Sequence, residues 1–302
     1  MSAAAPQQRP IAAALLRLAA AIALSIMFAI VKLAAARGVN LVESLFWRQG
    51  FALLPVGTWI LFGPGVRTLR THRPVGHFVR MLMGLSAMAL NFLAMMLMPM
   101  ADATVISFSV PLFATLAAVL FLGERPGRWR WSALAIGFLG VLIVMQPTRA
   151  MLHNSATLIA LAGAAMTAAV AIQIRNLSMT EPPATVVFWF SATSLLPLGV
   201  AMFWFAAPHD LTTWGLLLAM GLVGGGAQIL LTSALRLGPV ALVLPMDYSS
   251  LIWAILLGWQ IFANIPGPMT WLGAPIIIAS GLIILWREQF YRKSAAPLAE
   301  IS

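Results

Sequence analysis

The stretch from Ala94 to Ile143 occurs twice. Moved along the chain by 140 positions, it falls without a gap on Ala234 to Ile283. Ala94 meets Ala234, Leu97 meets Leu237, Pro99 meets Pro239 and Ala101 meets Ala241. Further on, Pro126-Gly127 meets Pro266-Gly267, Trp131 meets Trp271, and Leu142-Ile143 meets Leu282-Ile283. Matches of Leu or Ala are cheap in an apolar chain, whereas Pro, Gly and Trp matched in one register are not. The chain is therefore an internal duplication with a unit of about half its length.

What the unit folds into follows from its polarity. With 61% hydrophobic and 9% charged residues and a mean hydropathy of +0.95, the chain lies far outside the range of soluble domains. Apolar runs of roughly 20 residues, enough to cross a bilayer, recur from end to end. The sequence predicts an all-α integral membrane protein with ten transmembrane helices. The first five run near Ile11–Ala34, Val42–Phe62, Gly76–Met98, Ala101–Leu122 and Trp131–Met145. The second five run near Ala156–Ile174, Ala184–Phe205, Thr213–Leu235, Val240–Phe262 and Thr270–Trp286. Residues 1–10 read as a tail and not as a signal peptide. The two repeats cover 11–146 and 156–286, and 287–302 form a second tail. The loop Gln146–Ser155, with Pro147 and Asn154, separates the halves. Trp and Phe, 11 and 16 against 2 Tyr, suit interfacial anchoring and lipid-facing packing. Zero cysteines exclude disulfides and thiolate chemistry.

Loop charge predicts the orientation. With the N-terminus inside, the inner segments hold Arg9, Arg17, Arg67, Arg70, Arg73, Arg80, Arg125, Arg128, Arg130, Arg175, Arg236, Arg287, Arg292 and Lys293. The outer loops keep Arg37 and Arg149, so both termini are expected in the cytoplasm of a bacterial inner-membrane protein. The net charge of +10 is then a topology signal, and no nucleic-acid partner is expected. An odd number of spans per unit forces the second copy to enter the membrane inverted. Two inverted five-helix repeats are the architecture of secondary transporters, with a substrate site near the midplane.

The segments Pro-Met-Ala-Asp-Ala-Thr-Val-Ile-Ser-Phe-Ser-Val-Pro-Leu-Phe (Pro99–Phe113), Phe-Leu-Gly-Glu-Arg-Pro (Phe121–Pro126) and Gly-Leu-Ile-Ile-Leu (Gly281–Leu285) carry a family resemblance. They resemble the drug/metabolite transporter superfamily, EamA type, over essentially the whole chain from Lys32 to Arg287. The resemblance implies ten helices in two inverted five-helix repeats. Arg73, Pro74 and His77, with Ser107-Phe108-Ser109, are most similar to bacterial S-adenosylmethionine uptake carriers, and riboflavin carriers are similar too. Asn264 stands where Glu124 would repeat, which weakens a functional reading of Glu124.

Ionisable groups inside a bilayer are costly and mark functional sites by default. Asp247 lies roughly 10 Å into helix 9. Pro245 just before it removes a backbone donor and frees a carbonyl. Tyr248 and Ser249 follow, and Ser107 and Ser109 occupy the matching stretch of helix 4. Asp247 is expected either to line a cavity or to join two helices. Lys32 either snorkels to the outer surface or faces the cavity. Arg48 is read as structural, paired with Glu43 or with loop carbonyls. Should both cations face inward, they and Asp247 would suit a zwitterion or a carboxylate-bearing metabolite. Asn91, Gln173, Gln228 and Thr232 are polar groups on apolar helices, each able to serve as an interhelical hydrogen bond. Gly224-Gly225-Gly226 allows close packing or gives a flexible point, and the methionines from Met81 to Met100 line either a core or an apolar substrate.

The four histidines (His72, His77, His153, His209) fall in loops or at helix ends with no pairing expected across the membrane. No HEXXH, phosphate-cradling loop or clustered acid/base set exists in the sequence, so an enzyme, a metal site, a cofactor and ATP-driven pumping are not expected. The expected function is an alternating-access carrier of a small zwitterionic metabolite such as S-adenosylmethionine or an amino acid. A vitamin carrier for riboflavin and a channel-like pore are the alternatives. The expected partners are the small-molecule substrate and the lipid bilayer, with a homodimer left open.

Overall fold

The computed structural model describes residues 10–110, 112–114, 116–117, 128–145, 155–178, 180–237 and 244–295. Among them are ten α-helices and no strand. In chain order these are α1 (Pro10–Ala36), α2 (Leu41–Phe62), α3 (Pro74–Leu97), α4 (Met100–Ser107) and α5 (Arg128–Met145), then α6 (Ser155–Ser178), α7 (Pro183–Phe205), α8 (Leu211–Leu237), α9 (Ser249–Phe262) and α10 (Pro268–Ala295). Short 3-10 turns lie at Val66–Leu69 and Leu244–Tyr248. Glu124, His153, Arg149 and the Gln146–Asn154 loop lie outside the described residues, as do both extreme ends.

Local sequence sets the helix ends. Gly38, at φ +85°, lets the chain leave α1 in the left-handed region that an L side chain resists. Asn40 then caps α2: its side chain accepts from the Glu43 N–H at 3.0 Å while Glu43 reaches back to the Asn40 N–H at 3.2 Å. Proline opens α3, α7 and α10, where its missing N–H would have had no partner. Five of the helices are long and apolar enough to cross a membrane: Ile11–Ala36, Pro74–Leu97, Ser155–Ile174, Pro183–Phe205 and Leu211–Ala234.

Two expected spans are not continuous α-helices. The helix predicted over Ala101–Leu122 has its α-helical run stop at Ser107, and Phe108-Ser109 form a turn before helix resumes at Val110. The helix predicted over Val240–Phe262 is described from Leu244, where the 3-10 turn Leu244–Tyr248 precedes an α-helix that starts at Ser249. Phe108 and Tyr248 are 140 positions apart, so a turn that is not α-helical stands at one register in both copies. The same hydroxyl bond follows each break. Ser109 Oγ donates to the Ile106 carbonyl at 2.6 Å, and Ser249 Oγ to the Met246 carbonyl at 2.6 Å. Such back-bonds compete with the helix ladder and tolerate a bend.

The helices pack in matched pairs. α1 lies along α8 and α9, α2 along α7 and α8, α3 along α6 and α7, α4 along α6 and α9, and α5 along α10. Exchanging the first five helices with the last five turns this set of pairings into itself. The crossing of α5 on α10 repeats the pattern at the level of residues. A Cβ on Gly137 would come 2.4 Å from Ser280 Oγ, and one on Gly140 would come 2.7 Å from Ile277 Cγ1. Positions 137 and 277, and 140 and 280, are partners in the 140-residue register.

Candidate substrate-binding site

The interrupted segments of the two halves meet. The rings of Phe108 and Tyr248 touch edge to face, with centroids 5.1 Å apart. These two aromatics are one register position in the two copies, so their contact falls where the halves face one another. Beside it, Arg17 of α1 donates from Nε and Nη2 to the two carboxylate oxygens of Asp247. The side chains are 12% and 32% exposed, so the pair is only partly shielded from solvent. Sequence placed Arg17 among the inner-surface charges. It lies seven residues into α1, and its partner is 230 positions away. No local pattern announces such a pairing.

Several predicted site residues are spent on the backbone. Lys32 Nζ donates to the carbonyls of Met95 at 3.1 Å and Met98 at 2.7 Å, neutralising the end of α3, and sits 5.7 Å from the Phe262 ring centroid. Ser107 Oγ donates to the Thr104 carbonyl at 2.6 Å, and Thr232 Oγ1 to the Gln228 carbonyl at 2.7 Å. Asn91 joins α3 to α6, donating to Thr167 Oγ1 at 3.0 Å and to the Ala87 carbonyl at 2.7 Å. Gln173 donates to the Gly76 carbonyl at 3.2 Å and ties the same helices nearer the start of α3. The Gln228 side chain is half-buried.

Arg48 departs from the expected pairing. Glu43, 1% exposed, is occupied by Asn40 Nδ2 at 2.8 Å, the Ala207 N–H at 2.8 Å and His209 Nε2 at 2.9 Å. His209 therefore has a partner at its own end of the bundle, because the loop before α8 folds back onto the start of α2. Arg48, 2% exposed, instead donates to Gln49 Oε1 beside it and to the Gly224 carbonyl of α8 at 3.2 Å. Its Nε has no partner among the described residues.

Arg80, also assigned to the inner surface from sequence, is 3% exposed within α3. Its guanidinium lies 4.1 Å from the Phe190 ring centroid of α7. Its Nε and Nη1 are without hydrogen-bond partners among the described residues. His77, one turn earlier and 2% exposed, faces Trp189 with ring centroids 6.2 Å apart, and neither ring nitrogen is bonded among the described residues. Gln49 Oε1 also accepts from Ser191 Oγ at 3.3 Å, linking α2 to α7. The sequence signal missed was spacing. Arg73, His77, Arg80 and Gly84 recur at intervals of four, three and four, one face of one helix. Arg73 anchors the start of that face on Asn176 and Thr180, each at 3.2 Å.

Ten helices among the described residues, five of them long and apolar enough to cross a membrane, meeting at paired turns and holding buried ionisable groups, define a multi-pass membrane protein with a polar interior. A model of the EamA-like transporter family matches residues 11–146 and again 154–286, and the chain belongs to that family. A riboflavin transporter of Rhizobium johnstonii is 32% identical over 82% of this chain and 81% of its own length. The pseudopaline exporter CntI of Pseudomonas aeruginosa is 29% identical over 88% and 93%. An S-adenosylmethionine uptake transporter of Rickettsia conorii is 28% identical over 82% and 83%. One solved crystal structure shares the fold with a TM-score of 0.61 at 19% identity, covering 90% of this chain and 96% of that one. The family and these relatives support a small-metabolite transporter.

Proposed function

We propose that the protein is a secondary carrier in which two inverted five-helix halves rock around a midplane site, and that its substrate is a zwitterionic metabolite such as S-adenosylmethionine or an amino acid. The observation that supports this most is the contact between Phe108 and Tyr248. Two positions equivalent by duplication can touch each other only near the axis that relates the halves. Discontinuous helices at such an axis expose backbone and polar side chains at membrane depth, where a carrier binds its solute. The zwitterion is inferred from ionisable groups of both signs held within the helices, Arg48 and Arg80 buried and Asp247 paired to Arg17, and it fits one relative named for S-adenosylmethionine uptake. Relatives named for riboflavin and pseudopaline are why the substrate is tested as a panel.

Proteoliposomes bearing the full chain, loaded with S-adenosylmethionine, amino acids or riboflavin in turn, are expected to show saturable uptake and counterflow of a labelled zwitterion. Saturable movement of riboflavin alone would replace the substrate assignment. Movement of inorganic ions alone, without saturation or counterflow, would indicate a pore and overturn the carrier. Topology gives an independent check. Reporter fusions at Pro147 and Ser294 are expected on opposite faces of the inner membrane, with Ser294 cytoplasmic. Both on one face would exclude an inverted arrangement of five-span halves.

A further inference from the structure

Arg48 and Arg80 enter from different helices and different ends, yet their heads rest at corresponding seats. A Cβ on Gly224 would come 2.9 Å from Arg48 Nε, and a Cβ on Gly84 would come 1.8 Å from Arg80 Nη1. Gly84 and Gly224 are 140 positions apart, in the register of the duplication. Each lies near the middle of its helix: Gly84 in Pro74–Leu97 and Gly224 in Leu211–Leu237. Both guanidinium groups are therefore held near mid-helix, where the absence of a side chain makes room for them. Phe190, which carries Arg80 on its ring, lies seven residues before Pro197, and Arg48 lies seven before Pro55. The two halves thus carry a glycine seat at one register, and each seat receives a cation.

A buried guanidinium in a purely structural role spends its five donors on carboxylates or carbonyls, since an uncompensated buried charge is strongly destabilising. Here three N–H-bearing nitrogens, Arg48 Nε with Arg80 Nε and Nη1, are buried without partners among the described residues, and so is the amide nitrogen of Gln49. Gln49 links the two: its Oε1 accepts from Arg48 and from Ser191, the neighbour of the Phe190 ring on which Arg80 rests. The nearby ion pairs do not serve these groups, because Asp247 belongs to Arg17 and Glu43 to Asn40, Ala207 and His209.

We propose that Arg48 and Arg80, with Gln49, form the anion-binding half of the substrate site and take a carboxylate or phosphate group of the transported solute. The inference rests on the carrier reading and adds the recognition chemistry. Two guanidinium groups offer fork-shaped donors that match an oxyanion, and low polarity around them strengthens each bond. The ring of Phe190 keeps one face of Arg80 dry and orients its edge.

The test uses pairs of solutes that differ only in the oxyanion: S-adenosylmethionine against its decarboxylated form, and riboflavin 5′-phosphate against riboflavin. Thermal unfolding of the full chain in lipid nanodiscs is followed as each is titrated. At least one oxyanion-bearing member is expected to stabilise the protein at a concentration tenfold or more below its partner, and the pair that responds distinguishes carboxylate from phosphate. Arg48→Gln and Arg80→Gln are each expected to narrow that preference below threefold, with Arg→Lys intermediate. Without solute, both Gln variants are expected to unfold at the parent temperature or above it, because a buried charge lacking a counter-charge has been removed. Equal response to both members of each pair, or response to neither, overturns the proposal. So does a retained tenfold preference in both Gln variants. Should the variants fail to insert, the comparison on the parent protein decides alone. Saturable counterflow without oxyanion preference would sink this inference and leave the carrier intact. Oxyanion preference without saturable transport of any solute would do the reverse.

Discussion

Replacing Asp247 by Asn is expected to lower transport at least tenfold while expression and membrane insertion hold. The carboxylate sits on the 3-10 turn Leu244–Tyr248, next to the ring contact between the halves, and both of its oxygens are taken by Arg17. Arg17 belongs to a helix of the first half and Asp247 to an interrupted segment of the second. A bond across the halves holds one arrangement and must weaken in the other if the halves rock. Its contribution is therefore a bias on a conformational equilibrium, limited to the difference in its strength between the two states. Tenfold corresponds to about 1.4 kcal/mol. That exceeds the roughly 0.2–1 kcal/mol of a surface pair and suits one shielded on most sides. Arg17→Gln is expected to act in the same direction. The double variant should lose less than the two single losses combined, since once one partner is gone the other has nothing left to lose. Unchanged transport in Asp247→Asn with an unchanged pH profile would reduce the pair to packing.

Gly225→Ala and Gly226→Ala, one residue apart in α8, are expected to have opposite effects. A Cβ on Gly225 would lie 2.7 Å from Pro55 Cγ and 2.9 Å from both the Cα and the carbonyl oxygen of Ala52. Two of these are backbone atoms of α2, so the helices must separate. Gly221, one turn earlier, faces Phe51 in the same way, with Cβ at 2.3 Å. Overpacking of this kind costs about 1–3 kcal/mol, and at roughly 2–4 °C per kcal/mol for a chain of this size the unfolding temperature falls by several degrees. Nothing lies within 4 Å of a Cβ on Gly226. Alanine there is expected to match or exceed the parent, because glycine in a helix interior gives up as much as about 1 kcal/mol. Thermal unfolding in nanodiscs reads both. Equal losses at the two positions would mean that the Gly224-Gly225-Gly226 run works as a flexible joint, and the packing account would fall.

The sequence by itself determined what depends on runs of neighbouring residues. Ten helices, their approximate limits, the duplication and the family follow from hydropathy, from proline and glycine at helix ends, and from one repeated register. A bilayer makes these legible, since every apolar run of sufficient length must satisfy its own backbone. The interruptions at Phe108 and Tyr248 were less visible. Both lie in apolar runs whose composition suits a continuous span, and one proline near each, Pro111 and Pro245, is the only local hint of a break.

Which charges meet was decided by packing. Arg17 and Arg80 lie within two turns of a helix start, where a rule about loop charge assigns them to the surface. Their burial depends on α9 lying against α1 and on α7 lying against α3. Arg48 had Glu43 five residues away as its obvious partner, yet Glu43 caps its own helix and binds the His209 loop. Lys32 is claimed by carbonyls more than sixty positions distant. A side chain's partner in a helical bundle depends on crossing angles and glycine contacts between helices remote in sequence, such as Gly224 under Arg48 and Gly84 under Arg80. The sequence names those glycines but does not say what rests on them, because that is fixed only when the two halves close on each other.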